Sequence, residues 1–149
     1  MSGCEPSPPQ KITLHATTVE FEGQGVLIVG ASGSGKSSLA LNLMAFGALL
    51  VADDRTQIEL TGGAYLASAP ETIKGLIEAR GVGLLKAQAT PSTELRLAID
   101  MDTRETERVP PLRSFTADFL TVNCLHKVDG AHFPFAILQY LRNGRQDPV

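Results

Sequence analysis

VLIVGASGSGKSSLALNLM, residues 26–44, changes character twice. Val26 to Val29 is a short apolar run with the composition of a buried strand. Gly30, Gly33, Gly35, Lys36 and Ser37 then fill the pattern G-x-x-x-x-G-K-[ST]. Leu39, Ala40, Leu43 and Met44 follow at helical spacing, which predicts a helix from about Lys36 to Phe46 with Gly47 as its stop. Strand, Gly-rich loop and helix in this order separate a phosphate-binding loop from a Gly/Ser turn that happens to carry a lysine. A triphosphate needs many donors close together, and backbone N–H groups supply them only where no Cβ blocks the approach, hence the three glycines. The helix N-terminus adds unsatisfied N–H groups and a favourable dipole. The expected nucleotide-binding stretch is Gly30, Ala31, Ser32, Gly33, Ser34, Gly35, Lys36, Ser37 and Ser38. In it Lys36 reaches the β- and γ-phosphates and the Ser37 hydroxyl binds Mg²⁺.

Downstream, Ala48 to Ala52 reads as a second buried strand that ends in Asp53 and Asp54. Acid at the end of a strand beside such a loop suits a Mg²⁺–nucleotide site, because open α/β sheets bind ligands at their strand C-termini. One carboxylate can hold the metal and the other can take a proton from an attacking hydroxyl. A simple Asp-Asp turn closing a strand would have the same sequence. Glu78 and Arg80, next to Gly81 and Gly83, suggest a loop approaching a ligand, with Glu78 for Mg²⁺ and Arg80 for phosphate. Taken alone they read equally as a solvated charge pair in a flexible turn. His15 lies in a β-branched, apolar segment (residues 12–23) of one or two strands, where position alone favours a structural histidine.

The remaining segments set the frame. Residues 1–10 read as a flexible Pro- and Ser-rich tail, and residues 11–145 as one domain. Residues 56–68 carry a hairpin signal around Thr61-Gly62-Gly63. Pro70 opens a short helix to about Ile77, and Val82, Leu84 and Leu85 form a strand. Residues 88–94 read as a linker, 94–102 as a strand, 103–111 as a mobile polar loop, 115–125 as a strand and 126–130 as a turn. Residues 133–145 form an amphipathic helix with Phe135, Ile137, Leu138 and Leu141 on its apolar face, stopped by Gly144. The expected fold is a single α/β P-loop-containing domain. A β-rich N-terminal unit leads into a mixed sheet with flanking helices, the loop's helix packed on it and the C-terminal helix closing the far side.

Of the 149 residues, 43% are hydrophobic and 19% charged, the balance of a globular chain with a core. A net charge of −3 argues against nucleic acid as a partner. No apolar run approaches the roughly 18 residues needed to span a bilayer. Cys4 and Cys124 have no metal-type spacing; Cys4 reads as a free thiol on the tail and Cys124 as a small buried hydrophobe. These features fit a cytoplasmic location.

His15, then GASGSGKS, then VADDR, then EARGVG resembles the catalytic domain of the HPr kinase/phosphorylase family, over about residues 12 to 143. That family phosphorylates a serine of HPr, the small carrier of the sugar phosphotransferase system, and can remove the phosphate again. The resemblance implies ATP and Mg²⁺, HPr as partner, and a homo-oligomer, a hexamer in the family. It assigns Lys36 to the phosphates and Ser37 and Glu78 to Mg²⁺. Asp54, supported by Asp53, becomes the proton acceptor from the target serine. Arg80, Gly81 and Gly83 belong to the signature loop, and His15 to the active site. The family's N-terminal domain has no expected counterpart here. Its Pro-Gly-Arg-Asn stretch is absent as such, and PLRS, Pro111 to Ser114, is the nearest equivalent, with Arg113 in place of the active-site arginine. A Lys-x-x-Gly segment survives as Lys127 to Gly130. Two other functions share the loop: an ATP-binding regulatory module that transfers nothing, and a small P-loop ATPase, for which an LSGGQ-like signature is missing.

Overall fold

A computed structural model describes residues 10–146 of the chain. Cys4 and all but the last residue of the expected tail lie outside the described residues; that last residue, Gln10, already belongs to the first strand. The elements in order are β1 (Gln10–Leu14), β2 (Ala16–Phe21), β3 (Gln24–Val29), α1 (Lys36–Met44), β4 (Leu49–Ala52), β5 (Thr56–Thr61) and β6 (Ala64–Ser68). They continue with β7 (Leu76–Ala79), β8 (Gly83–Lys86), β9 (Ser92–Arg104), β10 (Arg113–Ala117), β11 (Leu120–Lys127) and α2 (Phe133–Asn143).

The main sheet runs β1-β5-β6-β9-β3-β2-β4, with β11 and then β10 branching from β9; β7 and β8 pair only with each other. β9 is the hub. Its first residues pair antiparallel with β6, and its later ones lie parallel to both β3 and β11. Where it changes partners it carries a bulge, since Gly25 faces Leu95 but Val26 faces Leu97. The extra residue, Arg96, resets the alternation of faces. Leu95 therefore packs with Leu27, Val29 and Ala98 on one side, and Leu97 with Val26, Ile28 and Ile99 on the other. Gly25 is required at this crossing, because a Cβ there would stand 2.6 Å from Thr93 Cγ2 and 2.7 Å from the Glu94 carbonyl oxygen.

The Ile28 face receives both helices. Leu39 and Leu43 of α1 join Ile137, Leu138 and Leu141 of α2 in one cluster with Val26, Leu97 and Ile99. The C-terminal helix thus lies on the same face as α1, not on the far side. The far face is covered by the sheet itself: Ile58, Ala67, Leu120 and Val122 from β5, β6 and β11 close over Leu27 and Ala98. Short strands with one apolar edge each can bury it by curling, so no third helix is needed.

Several boundaries differ from the sequence expectation. The helix from Pro70 to Ile77 is a single 3-10 turn, Glu71–Ile73, followed by β7. Gly75, at φ 72°, breaks the helical path and lets Ile77 enter the core as a strand residue, 1% exposed. Val82 belongs to the turn of the β7–β8 hairpin and is exposed. The expected linker supplies Ser92, Thr93 and Glu94 to β9, and the polar loop supplies Thr103 and Arg104. Residues 115–125 are not one strand but parts of β10 and β11 around a turn at Asp118, which takes the left-handed conformation (φ 55°) that aspartate tolerates. His126 and Lys127 extend β11. In α2, Phe133 rather than Phe135 faces the core; Phe135 is exposed and stacks edge-on against Phe46. The Gly62-Gly63 hairpin, the Gly144 stop and the buried Cys124 are as expected.

Candidate functional site

β3 delivers the chain into the glycine loop from the C-terminal edge of the parallel β3–β9–β11 group. Gly30 adopts φ 151°, and a Cβ on it would come within 2.6 Å of Ser34 Oγ and 3.1 Å of Met101 Cβ. Gly35 caps α1 in the left-handed region with no side chain bonded to the helix N-terminus, and the first turn carries no acid. The N–H groups of that end are therefore free of competing side chains and aligned with the positive end of the dipole.

A cavity of about 360 Å³ opens over this end. It is lined by Ser32, Gly33, Gly35, Lys36, Ser37, Ser38, Asp53, Asp54, Glu78 and Arg80, so the three separated segments singled out in the sequence converge. Lys36 is 5% exposed, and its Nζ donates to the carbonyl oxygens of Gly30 (2.9 Å) and Ala31 (3.1 Å). His15, at the break between β1 and β2, brings Nε2 to 3.3 Å from Lys36 Nζ, 3.3 Å from Asp54 Oδ1 and 3.4 Å from Ser32 Oγ.

The two aspartates at the end of β4 occupy different environments. Asp53 is buried and accepts three hydrogen bonds, from Ser37 Oγ (2.7 Å), Thr17 Oγ1 (3.0 Å) and the Glu78 N–H (2.8 Å). Those bonds tie α1, β2 and β7 to one carboxylate. Asp54 has φ 66°, its side chain is 61% exposed, and it faces His15. Arg80 reaches back from the β7–β8 hairpin, and a side chain at Gly33 would meet its Nη2 at 3.8 Å. Gly81 and Gly83 shape the hairpin turn at positive φ and do not line the cavity.

Arg113 is not brought to the cavity. Its guanidinium forms two 2.8 Å bonds to Glu105 and a 3.5 Å contact to Glu107. The Glu105 carboxyl is thereby held at a pKa of about 2, chiefly by the hydrogen bond from Arg113, against the opposing effect of burial. Burial, with Asp100 nearby, pushes the Cys124 thiol up to about 11, so it is not a nucleophile at neutral pH.

Two residues at the site have no sequence prediction. Thr17 is fully buried; its hydroxyl donates to Asp53 and accepts the Asp54 N–H at 3.2 Å. Its signal is a threonine pair, Thr17-Thr18, in a strand whose other buried residues are apolar. Asp102, at the end of β9, accepts the Ala31 N–H on both oxygens, at 3.0 and 3.1 Å. The alternation of ELRLAIDMD marks it only as a solvent-facing strand residue.

Fold and site together define an α/β domain with a glycine-rich loop held between a buried strand and a helix, beside a paired-acid strand end. The model of the HPr serine kinase C-terminal domain matches residues 9–109, and the chain belongs to that family. The HPr kinase/phosphorylase of Mycoplasmopsis pulmonis is 45% identical over 76 residues, 51% of this chain and 25% of that protein. The HPr kinase/phosphorylase of Alkaliphilus metalliredigens is 41% identical over 99 residues, 61% of this chain and 32% of that protein. The chain thus spans between a quarter and a third of the length of these two curated relatives. The HPr(Ser) kinase/phosphatase of Coxiella burnetii has a similar structure, with a TM-score of 0.74 at 25% identity over 89% of both chains. Among the described residues no helix is long and apolar enough to cross a membrane.

Proposed function

We propose that this chain is an ATP-dependent serine kinase domain acting on an HPr-type phosphocarrier protein, with Mg²⁺ as its metal. The observation that carries this is the division of labour between the two aspartates. Asp53 is pinned against the Ser37 hydroxyl, while Asp54 stands free in the cavity beside His15. The relatives named as HPr kinases supply the acceptor.

The donor set fits a hard cation, because Ser37, Asp53 and Glu78 present oxygens to one cavity. Those three residues would hold Mg²⁺, which when bound neutralises phosphate charge. Among the described residues no group of three His, Cys, Asp or Glu side chains forms a metal cage of its own. A Mg²⁺ ion bound through one or two carboxylates and phosphate oxygens requires none. Lys36 leaves the Gly30 and Ala31 carbonyls to bind the phosphates, with the loop N–H groups around it. Asp54 takes the proton of the incoming serine as its oxygen attacks the γ-phosphorus, and the bond to the bridging oxygen breaks to release ADP. His15 orients Asp54 and is placed to accept a proton from it.

The test is transfer of label from ATP to purified HPr in the presence of Mg²⁺. No labelled HPr, beside an active control enzyme, would end this reading. Asp54→Asn should lower the transfer rate by roughly a hundredfold or more, the range removed with a positioned general base. Lys36→Ala should abolish it.

The sequestered Arg113 favours a second reading, an ATP-binding regulatory module that transfers nothing. ATP binding without label on any carrier would establish it.

A further inference from the structure

The peptide between Gly30 and Ala31 is held from both sides. Its carbonyl, on Gly30, accepts from Lys36 Nζ at 2.9 Å. Its N–H, on Ala31, donates to both oxygens of Asp102 at 3.0 and 3.1 Å. The Ala31 carbonyl in turn accepts from Lys36 Nζ and from the Ser34 N–H at 3.0 Å, closing the turn that carries Ser32 and Gly33. Among the described residues, Asp102 is the group outside the loop and its helix that bonds the backbone of Ala31 to Ser34.

Asp102 is itself placed. Its N–H donates to Asp100 Oδ1 at 2.9 Å, and Asp100 Oδ2 accepts from Thr103 Oγ1 at 2.9 Å. Asp100 lies opposite Val29 across the parallel β3–β9 pair, the last residue before the loop begins. Met101, between the two aspartates, packs beneath Gly30 and Gly35. The end of β9 is therefore a template against which the first half of the loop is laid. Neither Ala31 nor Asp102 lines the cavity, so the Asp102 bond does not occupy a donor meant for the ligand.

We infer that Asp102 is a positioning residue for nucleotide binding; the inference rests on reading Gly30–Ser37 as a triphosphate site. When Lys36 turns to a phosphate, the Gly30–Ala31 peptide loses the grip on its carbonyl side. The bond to Asp102 remains, and it keeps the peptide from rotating and carrying Ser32 and Gly33 out of register. The chemistry needs an acceptor oxygen at this point and not a charge. A negative charge beside a triphosphate would, on its own, weaken binding.

Titration of a fluorescent ATP analogue with Mg²⁺ into the wild-type chain, Asp102→Ala, Asp102→Asn and Lys36→Ala tests this, with unfolding midpoints measured without nucleotide. Asp102→Ala should raise Kd roughly three- to tenfold, the worth of one net hydrogen bond. Asp102→Asn, which keeps an acceptor oxygen, should stay within about twofold of the wild type, and the nucleotide-free midpoints should agree. Wild-type affinity in Asp102→Ala, with Lys36→Ala impaired, overturns the positioning role and leaves the nucleotide site standing. Equal loss in Asn and Ala, or tighter binding in both, makes the charge the operative feature and overturns it too. A fall in the nucleotide-free midpoint of Asp102→Ala that accounts for the lost affinity makes Asp102 a residue of the fold instead. If the wild-type chain binds no nucleotide, the site reading fails and this inference with it.

Discussion

Thr17 bonds the carboxylate of Asp53 and the backbone of Asp54 from a position fully shielded from solvent. Its hydroxyl donates to Asp53 Oδ1 and accepts the Asp54 N–H, so one side chain fixes the angle between the pinned acid and the free one. Thr17→Val keeps the shape and removes both bonds. The Asp54 N–H then loses this acceptor, at a cost of about 1–3 kcal/mol in stability. On the proposed kinase reading, the rate of transfer to HPr should fall more than the KM for ATP changes, because the glycine loop is untouched. Thr17→Ser should restore both properties. A Thr17→Val variant with wild-type kcat would show that the hydroxyl does not set the geometry of Asp54. The importance of this residue was hidden in the sequence for a physical reason. A buried threonine is ordinary in a strand, and only the fold reveals that its hydroxyl meets Asp53, 36 positions away. Lys36 and Ser37 were legible as cavity residues because the loop pattern fixes their positions, whereas Asp53 reads equally as part of a turn until the fold sets it against Ser37. Asp54 and His15 were readable as candidates, but their separate environments required the strand ends to be brought together.

At the scale of elements, the loop after β9 is fastened to β10 by the Glu105–Arg113 pair, with Glu105's side chain only 6% exposed. The sequence marks this stretch as polar and mobile because its charges are counted one by one. The structure pairs Arg104 with Asp129, and both Glu105 and Glu107 with Arg113. Glu105 has a folded pKa of about 2 against an ordinary 4.5, so its contribution to stability is fully present above about 4.5 and is lost as pH falls toward 2. Stability measured by urea unfolding should therefore decline with acid across this window more steeply for the wild-type chain than for Glu105→Gln. Parallel pH profiles for the two would mean that the pair does not couple to folding. Arg113→Ala should free the loop and flatten the same profile, leaving ATP binding unchanged, since Arg113 lies outside the cavity. The β7–β8 hairpin is hidden in the sequence for a different reason. GLIEARGVGLLK has too few residues per strand for a period to declare itself, and Gly75, at φ 72°, ends the helical path that Pro70 opens. Ile77 anchors the hairpin in the core, and the Glu78 N–H bond to Asp53 delivers the signature residues to the site.

Across the whole molecule, β9 connects everything that matters to the site. It separates the helix-covered core from the sheet-covered one, lies parallel to the strand that feeds the loop, and ends in the residues that hold the loop's first turn. Its central residues are fully buried, Leu97 and Ile99 on the helix side and Ala98 on the other. The alternation of ELRLAIDMD predicts one apolar face, whereas the bulge at Arg96 places Leu95 and Leu97 on opposite faces and so in two cores. With the strand shared in this way, the two cores should not unfold separately. Ile99→Ala removes a buried side chain that touches both helices' cluster, and should cost about 2–5 kcal/mol. Both the far-ultraviolet signal and the release of a bound ATP analogue should then shift to lower urea together. Two separated transitions, with nucleotide released first and the strand signal later, would show that the loop and its helix come away from β9 as an independent unit, and that the hub does not couple the site to the fold.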